Sequence, residues 1–96
     1  MVYEWDAVKA RANLRKHGVS FEEAATVFRD PLAWTFVDPD HSGGEEREIT
    51  IGRSARQLIL FVSHCLRRDR IRIVSARKAT RRERKQYEED IGEEIR

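Results

Sequence analysis

Lys9, Lys16, His17, Arg47, His64, Arg72, Arg77, Glu83 and Tyr87 are available to move a proton or hold a phosphate. Their types suffice for scission of RNA without a metal. That reaction needs a group to take the 2′-hydroxyl proton, cations to meet charge on the phosphorane-like centre, and a donor for the leaving 5′-oxygen. Each also has a structural reading. Glu83 is the third helical residue of a capping box, and Tyr87 starts an apolar stripe one turn later. Arg70 and Arg72 share a strand face, where alternation alone would expose them. Strand parity groups Arg77 with Ile71, Ile73 and Ser75, where the chain leaves a sheet for a helix whose N-terminus favours a phosphate. His17, beside Lys16, falls in the last turn of a helix and complements its dipole. His64 reads as a core histidine and His41 as a solvated turn residue. The three histidines share no close spacing, and Cys65 faces away from His64 on a strand, so no metal site is expected. Gly43-Gly44 sits in an acidic turn without a Walker lysine, and no nucleophile elbow is present.

The formal net charge is +2, but the charges are segregated. Ten basic residues lie between Arg67 and Lys85 against Asp69 and Glu83, a surplus of eight. Five acids against Arg47 run from Asp38 to Glu48, and five more against Arg96 close the chain from Glu88. A basic block between acidic ones is a footprint for a polyanion, or else a solvated, salt-bridged face. With 96 residues, 40% of them hydrophobic, the chain suits one small domain, 1–96, with one core. The longest apolar run, Leu58 to Val62, is far short of a membrane span. A single cysteine excludes a disulfide framework, and with no export signal visible the expected location is cytoplasmic.

The positioning elements follow from periodicity. Tyr3-Glu4-Trp5 suits a short strand, and Asp6 caps a helix with Ala7, Ala10 and Leu14 on one side, ending at Gly18. Ser20 to Glu23 is a capping box, followed by a stripe of Phe21, Ala24, Ala25 and Phe28 that Pro31 stops. Residues 32–37 read as a strand and 38–44 as turn. Ile49 and Ile51 alternate with Glu48 and Thr50, a second strand runs over about 57–64, and Ile71 and Ile73 alternate with Arg70 and Arg72. Short turns make these an antiparallel meander, the middle strand central because both its faces are apolar. Thr80 to Glu83 is a second capping box, opening a helix with Tyr87, Ile91 and Ile95 along one side and a frayed end near Gly92. The fold class is α+β: a short N-terminal strand, two helices, an antiparallel meander and a C-terminal helix.

Three stretches carry a family resemblance. Tyr3 to Asp6, Lys9, Asn13 and Lys16 to Ala24 resemble the opening of the BrnT toxin family. Glu45 to Arg47 with Ile51-Gly52 is similar to its middle; Arg72 to Arg77, Ala79, Glu83-Arg84 and Tyr87 are similar to its end. The resemblance implies a RelE-like fold and a type II toxin: a metal-independent endoribonuclease, without cofactor, that curbs translation and growth. It implies RNA as substrate, and a BrnA-like ribbon-helix-helix antitoxin through which the complex meets operator DNA, as a homodimer or a 2:2 assembly. Lys16, His17, Arg72, Arg77, Glu83 and Tyr87 become the catalytic candidates. Arg72 and Arg77 would clamp phosphate, with Lys16 or His17 shuttling protons. Arg47, Arg70, Lys78, Arg81 and Arg82 become the RNA contacts. The alternative is a non-catalytic nucleic-acid-binding or co-repressor protein using the same basic face.

Overall fold

The computed structural model describes residues 2–40 and 46–95, with side chains as far as Glu89. His41, Gly43, Gly44 and Glu45 lie outside the described residues, as do the side chains of Ile91 and Ile95. Strand β1 spans Val2–Glu4. Asp6 then caps helix α1, Ala7–His17, its carboxylate accepting from the N–H groups of Val8 (2.8 Å) and Lys9 (3.1 Å). Gly18 closes that helix at φ 71°, a conformation glycine adopts freely, and its N–H bonds the Leu14 carbonyl. Ser20 accepts from the Glu23 N–H to open α2, Phe21–Thr26. The box is only half made. The Glu23 carboxylate turns inward, where it accepts from Ser54 Oγ at 2.8 Å. A 3-10 turn, Val27–Arg29, carries the chain to Pro31.

Strands β2 (Trp34–Val37), β3 (Arg47–Arg53), β4 (Ile59–Arg67) and β5 (Arg70–Lys78) follow, then helix α3, Arg81–Ile95. The α3 capping box is complete: Thr80 N–H donates to Glu83 Oε1 at 2.8 Å, and Glu83 N–H to Thr80 Oγ1 at 3.2 Å. The sheet order is β1-β5-β4-β3-β2. The meander is antiparallel with β4 central, as alternation requires, while β1 adds parallel to β5 and makes the sheet mixed. One face of the sheet buries Leu60, Val62, Ile71, Ile73 and Ala76 against Val19, Phe21, Ala24 and Val27. On the other, Tyr87 of α3 seals Ile49, Ile51 and Ile59. Gly52 sits where a Cβ would come 2.8 Å from Val27 Cγ1 and 2.9 Å from Ala33 Cβ, so that motif glycine is a packing requirement.

Two features depart from the periodic reading. The inward side of α1 is not the Ala7, Ala10, Leu14 stripe: Leu14 is 51% exposed, and the buried residue is Asn13. Its amide donates to the carbonyls of Ala76 (2.8 Å) and Val19 (3.0 Å) and accepts from the Ala76 N–H (3.1 Å). β1 pairs with β5 only from Arg70 to Arg72, so beyond that point Asn13 stands in for a neighbouring strand. Second, β5 carries a bulge. His64 pairs with Ile73 but Ser63 with Ser75, leaving Val74 as an extra residue. Parity therefore reverses along β5. Arg77 lies opposite Phe61, on the face away from Ile71 and Ile73, together with Arg70 and Arg72.

Candidate nucleic-acid interface

The sheet face opposite α1 and α2 gathers the cations. Arg47 and Arg72 flank Cys65 in register across three strands, which sets their backbones about 10 Å apart at normal strand spacing. The next row pairs Ser63 with Ser75, and beyond it Phe61 pairs with Arg77. Arg77 is held on three sides. Its guanidinium lies 3.9 Å from the centroid of the Phe61 ring and donates to both Glu83 oxygens, at 2.8 and 3.0 Å. One of those nitrogens also reaches the Lys78 carbonyl at 3.2 Å. Fork-to-fork pairing over an aromatic ring leaves an arginine very little freedom. Burial disfavours charge on Glu83, but hydrogen bonds from Arg77 and Thr80 outweigh it and hold the carboxyl below its ordinary range. Phe61 is the partner that sequence reasoning missed; its place opposite Arg77 appears only once the bulge is counted.

The other candidates are distributed around this face. Arg70 is exposed on it, 3.8 Å from Glu4 at the sheet edge. Arg81 and Arg82 are exposed on the first turn of α3, and Lys78 is exposed where β5 ends. Lys16 and His17 are not brought to it. They end α1, whose Ala10 packs on the opposite, helix-covered face, and Lys16 is exposed there with His17 half-buried. Tyr87 is only 2% exposed, and its hydroxyl donates to Asp30 Oδ2 at 2.5 Å. Burial first, then that carboxylate, push the phenol up to about 12. Asp30 also accepts from the N–H groups of Arg53 and Leu32, at 2.8 and 2.9 Å. Tyr87 is therefore a post tying α3 to the chain ahead of β2. His64 is a core residue as expected: its Nε2 pairs with Thr50 Oγ1 at 2.8 Å, Phe28 meets its ring edge-on, and burial lowers its pKa to about 4. Among the described residues no three His, Cys, Asp or Glu side chains converge on a point that could hold a metal. No helix described is long and apolar enough to cross a membrane.

Fold and site together define a small α+β protein with α1 and α2 on one sheet face, and α3 beside a row of arginines on the other. The crystal structure of the Brucella abortus ribonuclease toxin BrnT has this fold, with a TM-score of 0.63. It matches at 21% identity over 84% of this chain and 100% of that one. The model of the family described as "Ribonuclease toxin, BrnT, of type II toxin-antitoxin system" matches residues 5–83, and the chain belongs to that family. It is accordingly a ribonuclease toxin of a type II toxin–antitoxin system, with RNA as substrate and an antitoxin as partner. No curated protein matches the sequence significantly.

Proposed function

We propose that this toxin cleaves RNA without a metal ion, on the sheet face that carries Arg47, Arg72 and Arg77. The observation that carries the reading is the bulge at Val74, which turns Arg77 onto the face of Arg72 and beside Glu83. Bulges commonly re-aim side chains next to functional sites. Arg47 and Arg72 hold the phosphate from two sides, over a floor that includes Ser63 and Ser75. Arg77, fixed by Phe61 and Glu83, meets the charge that grows on the phosphorane oxygens. Glu83 is ionised at neutral pH and stands at the arginine cluster, so it takes the 2′-hydroxyl proton as the attacking oxygen closes on phosphorus. The 5′-oxygen leaves with a proton from solvent. Lys16 and His17 belong to the helical layer and are left outside this scheme.

In the cell, such cleavage stops translation and growth until an antitoxin covers the arginine face. A BrnA-like ribbon-helix-helix protein, which also carries the complex to operator DNA in a 2:2 assembly, suits that role. The test is incubation of purified protein with RNA in EDTA, beside Arg72→Ala and Arg77→Ala variants. Each variant should lose on the order of 10²-fold in rate. Equal cleavage by all three would remove these arginines from the mechanism. Salt-sensitive binding with no products from the wild type would replace the enzyme by a non-catalytic co-repressor.

A further inference from the structure

Where β5 ends and β4 begins, a cleft of about 400 Å³ opens between the sheet and α3. Its floor is apolar, made by Leu58, Ile59 and Ala79. Its rim carries the cations Arg53, Lys78 and Arg84, the amide of Gln57 and one carboxylate, Glu88. Arg53 is positioned from two directions: its guanidinium carbon lies 5.9 Å from the Tyr87 ring centroid, and the group donates to the Gln57 carbonyl at 3.4 Å. Gln57 itself is strained, with φ at 68° in a turn held by Gln57 N–H to Ser54 carbonyl and Ser54 N–H to Leu58 carbonyl bonds. A non-glycine residue in that region is uncommon, and such strain clusters at ligand-binding sites.

The chemistry matches a nucleotide. An apolar floor takes the face of a base, an amide reads its edge, and the cations take the phosphate. The volume is within the range of small-ligand sites. Helix α3 contributes side chains both to the cleft and to the arginine face. Tyr87 is the seat of that helix; Glu83, one turn before it, leans on Arg77, while Arg84 and Glu88, rotated by one residue, line the cleft. Arg81 and Arg82 are exposed on the first turn of the same helix.

We infer that this cleft is a second nucleotide subsite, which holds a flanking nucleotide of single-stranded RNA bound at the arginine face. It rests on the ribonuclease reading and extends it. The test uses a short 2′-O-methyl oligoribonucleotide, which cannot be cleaved, carrying a photoreactive 4-thiouridine. Affinity is measured against salt for the wild type, for Lys78→Ala/Arg84→Ala, and for Arg11→Ala on exposed α1 as control, with melting curves to match folding. The double variant should bind about tenfold more weakly, and its salt slope should shrink by about 0.7 for each phosphate it no longer neutralises. Cross-links should map to residues 57–59 and 78–79, and the Arg11 variant should behave as wild type. Unchanged affinity and slope in the double variant, or cross-links confined to other surfaces, would overturn the subsite. Because the probe is inert, the two readings fail separately. Subsite binding with the matching RNA left intact removes only the enzyme, and cleavage with binding indifferent to Lys78 and Arg84 removes only the subsite.

Discussion

Glu83 and Tyr87 are one helical turn apart on α3, yet their surroundings give them opposite duties. The Glu83 carboxylate closes the capping box and grips Arg77 at a half-exposed site, where substrate can approach. The Tyr87 hydroxyl is spent on Asp30, beneath the helix. Burial and the neighbouring Asp30 carboxylate raise the phenol pKa, and the hydroxyl serves as an anchor for the helix. Tyr87→Phe should therefore cost about 1.5–3 kcal/mol, the net worth of a hydrogen bond to a charged group, in urea unfolding. Its cleavage rate should stay at the wild-type level. Glu83→Gln keeps a side chain of the same shape but no base, and should lose most of the rate while Arg77 stays seated on Phe61. Comparable rates for the two variants would refute this division of labour. In sequence the two positions could not be told apart, because a capping acid and a helix tyrosine each admit both readings.

The elements were legible wherever an apolar side chain met its expected neighbour. The meander, the central β4, the Asp6 and Thr80 caps and the Pro31 stop all follow from local chemistry. The departures come where a period is broken. Strict alternation from Ile71 assigns Arg77 to the core side, and nothing in Ile-Val-Ser-Ala announces that Val74 will be the extra residue. The apolar period likewise assigns Leu14 inward on α1, whereas the buried position goes to a polar residue answering an open strand edge. Which part of the β5 edge stays open is decided by the N-terminal β1, which pairs with β5 only from Arg70 to Arg72, a contact across the length of the chain that no local pattern encodes. Asn13 is accordingly the joint between α1 and the sheet. Asn13→Leu leaves the N–H and carbonyl of Ala76 and the carbonyl of Val19 without their buried partners. At roughly 1–3 kcal/mol for each stranded group, the expected loss is several kcal/mol, a large share of a small domain's stability. Denaturant titration checks it; a loss below about 1 kcal/mol would mean that the edge is satisfied some other way.

At the scale of the whole molecule, the groups that hold the fold share one response to acid. His64 lies in the core between Thr50 and Phe28, is 3% exposed, and its Nδ1 has no hydrogen-bond partner among the described residues. Burial keeps it neutral down to about pH 4, against an ordinary value of 6.5. The unfolded chain thus binds a proton that the folded chain refuses, and stability falls as pH drops from about 6.5 toward 4. Between pH 7 and pH 4 the loss from this residue is on the order of 3 kcal/mol. Asp30 and Glu83 are shifted the other way for carboxyls, below their ordinary values, and the sign is the same. Their stabilisation is complete above those ordinary values and disappears as pH falls through the lower folded ones, releasing Tyr87 and Arg77 in turn. Two legs of acid unfolding are expected, the histidine leg first. His64→Gln separates them, since an amide can still bond Thr50 but has nothing to titrate. Its urea midpoint should be nearly flat from pH 7 to pH 5, where that of the wild type declines, and both should fall together once the carboxyls protonate. A wild-type midpoint that is flat over the first interval would show that His64 can take up its proton within the fold. The Thr50 contact would then have to open to solvent without unfolding the sheet.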